Sequence, residues 1–311
     1  MLQVDKQVCD ILDRDKSIGS TLIGQVMKTS LYGDPWDAFL VLTGKADDLT
    51  PTLPMEFGVL GEPVMIKRCN NILLIDPAKF GLTHEEVKEF GLHFVPCDTA
   101  SAVIEGVPCR ATPDAVLVTS NGELFIVDGG CVLLECKVRF WADKDLYENG
   151  APASDYDQCQ WHMTLTDGAR CFVIAWFGIA RDVEIFRVDR DDKRIRECLD
   201  AAFDFWHFNV MKSNPPIVNG STGCKQYLAR QEEREASRRE FRDDEWGLAT
   251  DIAQAKAEIA TLKERIDMWE NMLRESMGEM QELYVEGGKS KVTCKKPKNR
   301  ETRTLRVNMK D

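Results

Sequence analysis

No stretch of this chain approaches the roughly 20 consecutive apolar residues of a membrane-spanning helix, and its N-terminus carries no basic segment followed by an apolar run. The expectation is a protein made and kept in a cytoplasm, with no membrane partner. Also missing is any Cys-x-x-Cys pair, because the eleven cysteines, an odd number, are scattered through apolar or irregular contexts. That spacing argues against a zinc site and a disulfide framework, and leaves the thiols mostly as small buried hydrophobes. Basic residues are in deficit, 40 Lys and Arg against 52 Asp and Glu, for a formal net charge of −12. A protein that coats nucleic acid through a broad basic surface is thereby disfavoured. Any nucleic acid must be held locally, by metal ions and a few well-placed bases.

What is present reads as globular. The 311 residues are 43% apolar and 30% charged, which leaves room for one large or two ordinary domains with an ample core.

The stretch from Thr112 to Val138 organises the chain. Asp114 opens an apolar strand, Ala115 to Val118, and Pro113 is tolerable just before it because a strand's first residue need not donate to the ladder. Asn121-Gly122 signals a hairpin, and Gly129-Gly130 a second turn before the run Cys131 to Val138. Strand side chains alternate, so Glu135 and Lys137 point one way while Leu134, Cys136 and Val138 point the other. One face is expected to be core and the other to carry a carboxylate beside an ammonium. Two carboxylates and a lysine converging from adjacent strands suit hydrolysis of a phosphodiester, with the acids holding hard divalent cations and the lysine orienting the nucleophile. The plainer alternative is an exposed strand-end ion pair, which contributes little.

Elsewhere, helices are expected up to Arg14, over Leu22 to Met27 with Ser17 or Ser20 as cap, and over Trp36 to Leu42. A further helix, Pro54 to Arg68, presents Met55, Val59, Glu62 and Ile66 on one side, which places an acid on an otherwise apolar face. An unpaired buried carboxylate is expensive, so Glu62 needs a cation for company or the helix register is different. Glu56 lies off this stripe as a solvated acid. Ile72 to Ile75 reads as a short strand, Thr83 to Glu89 as a surface helix or loop, and Phe140 to Ala153 as a polar connection. Asp155 then caps a helix from Tyr156 to Asp167 closed by Gly168, with Gln158, His162 and Leu165 on one face. Strands over Arg170 to Phe177 and Val183 to Val188 and a helix over Asp191 to Met211 complete the domain, and Asn214-Pro215-Pro216 marks its end. From Leu248 to Leu283 apolar residues step by alternating four and three, a heptad seam about 50 Å long. It is read equally as a helix lying on its own domain and as a coiled coil with a partner. After Val285, nine Lys or Arg stand against three Asp or Glu, in a small hairpin or basic tail.

In this order and context, Glu62, Asp114, Glu135, Lys137 and Gln158 resemble the PD-(D/E)xK nucleases. Residues 10 to 212 are most similar to the phage alkaline exonuclease branch, the YqaJ-like viral recombinases of lambda-exonuclease type, through Glu56 to Pro63, Thr112-Pro113-Asp114, Glu135-Cys136-Lys137 and Asp157 to Met163. The resemblance implies an α/β restriction-endonuclease-like core, a central mixed sheet flanked by helices. The domains expected are a nuclease over residues 1–216, a long helical coiled-coil-like extension over 217–284 and a basic tail over 285–311. It further implies a Mg²⁺-dependent exonuclease, with Mn²⁺ as substitute, that degrades one strand of linear duplex DNA from 5′ to 3′. The 3′ overhangs would serve phage-type recombination with a single-strand annealing protein. A trimeric ring and a host cytoplasm, if the chain is phage-encoded, belong to the same implication.

By this carry-over Asp114 and Glu135 ligate metal, Glu62 does so directly or through water, Lys137 positions or activates the attacking water, and Gln158 orients the lysine or the scissile phosphate. Arg14 with Thr21 or Ser20 matches the family's 5′-phosphate pocket, although Leu22 stands where an acid often follows. The competing reading for Ser20 is a simple cap. His162 is a candidate base or a wall residue, and Cys224 and Cys294 are too few and too far apart for the iron–sulfur cluster of related nucleases. Rival readings are a catalytically silent DNA- or protein-binding module on the same fold and a restriction-type endonuclease.

Overall fold

The run expected from Cys131 to Val138 forms β6 (Gly130–Arg139), a middle strand of a six-stranded mixed sheet. A computed structural model describes residues 16–47, 52–178, 183–230, 239–285, 290–296 and 302–309. It separates into two compact units, Met1–Glu232 and Glu233–Asp311.

In the first unit β1 (His93–Pro96) and β4 (Ala115–Val118) lie on one side of β6, and β7 (Gly168–Phe177) and β8 (Glu184–Asp189) on the other, in the order β1-β4-β6-β7-β8. The short β5 (Ile126–Val127) turns straight back onto β6, with Asp128 and Gly129 both at positive φ as a two-residue hairpin requires. Only β6 and β7 are parallel, and α5 (Ala153–Thr166) connects them. Gly130 is fixed by close approach, since a Cβ there would stand 2.5 Å from the Asp167 carbonyl at the end of α5.

Helices cover both faces of this sheet, so the face that carries Glu135 and Lys137 is packed as well. On one side α3 (Leu53–Ile75) packs Met65, Ile66, Cys69 and Leu73 over Leu117, Leu134, Phe172 and Ile174. On the other, Cys159 and Met163 of α5 meet Leu133, Cys171 and Val173. The outer side of α5, Trp161 and Leu165, is covered by α1 (Ser20–Val26), α2 (Pro35–Leu42), α6 (Asp192–Asp204) and the hairpin of β2 (Ala100–Ile104) with β3 (Val107–Ala111). A helix buried all round must satisfy its polar groups internally. Asp157 does so by receiving Arg194 Nε and Nη2 at 2.7 and 2.9 Å and Thr29 Oγ1 at 2.7 Å.

Several boundaries differ from the sequence expectation for physical reasons. Ile72 to Ile75 is the last turn of α3 and not a strand, because nothing breaks the helix before Asp76-Pro77. The inward stripe begins late: Met55 and Val59 are 44% and 72% exposed. Helix and sheet first meet at Gly61, where a Cβ would stand 3.2 Å from Val138 Cγ2. Gly19 caps α1, with neither Ser17 nor Ser20 doing so, and Asp34 caps α2 in a box with Asp37. Thr83 and Glu86 form a capping box for the helix α4 (His84–Phe90). Pro152, not Asp155, precedes α5, and Asp167, not Gly168, takes the left-handed conformation that ends it. Within the expected loop from Phe140, Trp141–Tyr147 winds into a 3₁₀ helix that buries Tyr147. The ten described cysteines are free, and most are buried.

The first unit also runs past Pro216. Beyond it α7 (Thr222–Ala229) returns to α2, with Tyr227 5.1 Å from the Trp36 ring and 5.9 Å from Phe39, while Trp36 Nε1 donates to the Ile217 carbonyl at 2.9 Å. In the second unit α8 (Asp243–Met277) is followed by a three-stranded antiparallel sheet, β9 (Glu282–Tyr284), β10 (Lys291–Lys295) and β11 (Thr304–Asn308), in the order β11-β10-β9. Within the basic stretch β10 and β11 pair as a hairpin, and β9, from just before it, adds a third strand. The seam leaves the helix after Met277, and Leu283 lies on β9.

Candidate active site

Glu135 lies in the middle of β6 on the side facing α5 and is 3% exposed. A buried carboxylate needs partners, and both of its oxygens have them. Oε1 accepts from Lys137 Nζ and from Gln158 Nε2, each at 2.7 Å, and Oε2 stands 3.0 Å from His162 Nε2. Lys137 Nζ also donates to Gln158 Oε1 at 2.7 Å. The strand period of two puts Glu135 and Lys137 on one side, and one helical turn separates Gln158 from His162, so β6 and α5 need only face each other to close this ring.

Electrostatics fix the charges. Burial raises the Glu135 carboxyl, but the Lys137 ammonium and the His162 hydrogen bond outweigh it and hold the group at about 2. Burial opposes the Lys137 charge, yet Glu135 and then Asp155 keep its affinity for a proton above the ordinary lysine value. Lys137 is therefore a charged donor and not a base at neutral pH.

Asp114 precedes β4 and meets the β6 backbone, its amide donating to the Leu134 carbonyl at 3.1 Å and its Oδ2 accepting from the Cys136 amide at 2.6 Å. Burial, then the charges of Glu135 and Glu62, push its carboxyl up to about 8 against the Cys136 hydrogen bond. Glu62, half-buried on α3, is likewise raised by burial and by Glu135. The structure thus brings Glu62, Asp114, Glu135, Lys137 and Gln158 into one electrostatic neighbourhood, with His162 joined to Glu135.

Among the described residues no group of three or more His, Cys, Asp or Glu side chains is arranged to hold a metal ion. The donor chemistry nonetheless fits a hard divalent cation, because three carboxylates, from α3, from the residue before β4 and from β6, lie close enough that burial and the charges of Glu135 and Glu62 together hold a proton on Asp114.

Two residues escaped the sequence reading, Arg139 and Tyr147, and a third, Asp155, is expected there only as a helix cap. Arg139, the next β6 side chain on the Lys137 side, donates from Nη2 to Asp155 Oδ1 at 2.7 Å and from Nε to the Tyr147 hydroxyl at 2.9 Å, and that hydroxyl donates to Asp155 Oδ2. Asp155 in turn faces the Lys137 ammonium as a second negative charge. The available signal was the continued alternation Glu135, Lys137, Arg139 and the spacing of Asp155 one turn before Gln158. Of the expected phosphate residues, Thr21 is exposed and Ser20 half-buried in the first turn of α1, and Arg14 lies outside the described residues.

No family model matches the chain. No curated protein matches it either. Among solved structures it is similar to an alkaline exonuclease from Laribacter hongkongensis, at a TM-score of 0.44 and 18% identity over 70% of this chain and 93% of that one. It is also similar to a phage related exonuclease from Haemophilus somnus 129PT, at a TM-score of 0.39 and 10% identity over 63% of this chain and 96% of that one.

Proposed function

We propose that the chain is a metal-dependent DNA exonuclease that degrades one strand of linear duplexes from the 5′ end and leaves 3′ overhangs for strand annealing. The observation that carries this reading is the buried ring of Glu135, Lys137 and Gln158 beside Asp114 and Glu62. A structural ion pair would be complete with Glu135 and Lys137 alone. Here uncompensated acid accumulates next to it, which costs stability without chemistry to perform.

In this reading Glu62, Asp114 and Glu135 hold a divalent cation, Mg²⁺ or Mn²⁺. When bound, such an ion supplies Lewis-acid polarisation of the phosphate and eases deprotonation of water. Lys137, held protonated, orients the attacking water or stabilises charge on the phosphate oxygens, and Gln158 fixes the lysine's direction through its carbonyl oxygen. In the overall step a water oxygen bonds to phosphorus, the phosphorus–oxygen bond to the neighbouring nucleoside breaks, and the departing oxygen takes a proton. Arg14 with Thr21 or Ser20 would receive the terminal 5′-phosphate.

The test uses linear duplexes with 5′-phosphate or 5′-hydroxyl ends and closed circles, each with Mg²⁺ or EDTA. Mononucleotides from linear DNA only, with Mg²⁺ only, support the reading. Cut circles would mean an endonuclease, and intact DNA throughout a silent binding module. Arg14→Ala should slow digestion of phosphorylated ends several-fold more than hydroxyl ends, and equal slowing would remove Arg14 from the phosphate site.

A further inference from the structure

The second unit carries an apolar face that its own sheet leaves open. Met277 is buried against Cys294 and Leu305, with Leu273 and Leu283 beside them, so the sheet covers only the C-terminal end of α8. Ahead of it Leu248, Ile252, Ile259, Leu262, Ile266 and Trp269 follow one line, each 48–64% exposed. Their row covers about 30 Å of helix at the usual rise.

We propose that this face is the seam of a parallel two-stranded coiled coil between two copies of the chain. In the heptad frame Ile252, Ile259 and Ile266 take the a positions, and Leu248, Ala255, Leu262 and Trp269 the d positions. Ile at a with Leu at d is the combination that favours two parallel strands. The flanks decide the partner. In a parallel pair each g residue meets the e residue five positions later on the other helix. Here those pairs are Asp251 with Lys256, Glu258 with Lys263 and Arg265 with Glu270.

Each pair is opposite in sign, including the last, where both members reverse together. Twofold symmetry presents every pair twice. A helix laid on a domain surface gains nothing from such a five-residue rule. An antiparallel pair would set e against e, so Lys256 and Lys263 would share a flank with the same lysines of the other copy. Glu258 and Glu270 now accept from Gln254 and Arg274 four residues away, exposed contacts along one helix that are easily exchanged for contacts across the seam.

Sedimentation equilibrium of the full chain at micromolar concentration tests this directly. The expected mass is twice the 35.3 kDa of one copy. Ile259→Asp should return the chain to monomer, while an unchanged melting transition of the first unit shows that folding survives. Glu258→Lys should raise the dissociation constant about tenfold, since it turns two attractive pairs repulsive. Adding Lys263→Glu to it should restore the original value, because the reversed pair meets again only in the parallel register. A monomeric or trimeric wild type, a dimer indifferent to Ile259→Asp, or a double variant no better than the single one would each overturn the proposal.

Discussion

The two units treat their misfit residues in opposite ways. Between β6 and α5 the chain buries charge and surrounds it, so that Glu135, Asp155 and Asp157 each find cationic or hydrogen-bonding partners. Along α8 it exposes Ile and Leu in a straight row. Burying a carboxylate and exposing an aliphatic row both cost stability in an isolated chain. The two proposals give each misfit a partner, a small ion and a phosphodiester in one case and a second copy of α8 in the other. The partnered acids are satisfied within the chain, whereas the row stays exposed along a helix already formed in a single copy.

Breaking the buried ring should have the largest effect. Glu135→Ala or Lys137→Ala should lower the cleavage rate by roughly 10²–10³-fold or more. Circular dichroism should stay near wild type for Lys137→Ala, because Glu135 keeps Gln158 and His162 as partners. Near wild-type turnover in either variant would reduce the ring to an ion pair and remove the contrast between the units.

The next effect concerns where the first unit ends. Ending the chain at Pro216 removes Tyr227 and Cys224 from Trp36 and Phe39, which should cost about 3–5 kcal/mol, in the range of large core truncations. Ending it at Glu232 should leave the melting temperature near that of the first unit in the full chain. Equal melting temperatures for both truncated chains would mean that α7 contributes nothing to this core.

How much of this was legible follows from the range of each signal. The meander from Asp114 to Val138 and the pairing of Glu135 with Lys137 follow from a period of two, and Gln158 from one helix, so both could be read locally. Ile72 to Ile75 is ambiguous in sequence because a short apolar run fits a strand or a buried helical turn equally well, and only the packing of Leu73 against the sheet decides. The Arg139, Tyr147 and Asp155 network is only half legible: the strand period offers Arg139 and the helix spacing Asp155, but Tyr147 depends on a 3₁₀ turn that folds back to both. The extent of the first unit was hidden for the same reason: Asn214-Pro215-Pro216 is a sound local stop, and the return of α7 to α2 is tertiary.

Asp114 gives a smaller and pH-dependent effect. Its folded value of about 8 lies above the ordinary 3.8, so without metal the folded chain keeps a proton that the unfolded chain has released. The stability present below pH 3.8 is then lost progressively as pH rises through about 8. Asp114→Asn holds the neutral form at every pH. It should raise the melting temperature in EDTA by roughly 3–6 °C at pH 8.5 and by less at pH 5, while abolishing cleavage. A lower melting temperature at pH 8.5 would show that Asp114 is stabilising as a carboxylate.

Glu62 should give the smallest change and the sharpest distinction between a structural and a metal-binding acid. It is half-buried on α3, raised by burial and by the Glu135 charge, and it adds to the repulsion that holds the Asp114 proton. Glu62→Gln therefore acts in two directions. Losing a ligand should raise the Mg²⁺ concentration for half-maximal activity about tenfold, the lower end of what altered metal-site shells cost. Losing a negative charge should let Asp114 ionise at lower pH, so the metal requirement of the variant should rise less steeply on going from pH 9 to pH 7 than that of the parent. A Mg²⁺ titration of cleavage at both pH values measures the two effects separately. If half-saturation and its pH dependence both stay as in the parent, Glu62 is a solvated acid at the helix–sheet contact, and the cation is held by Asp114 and Glu135 without it.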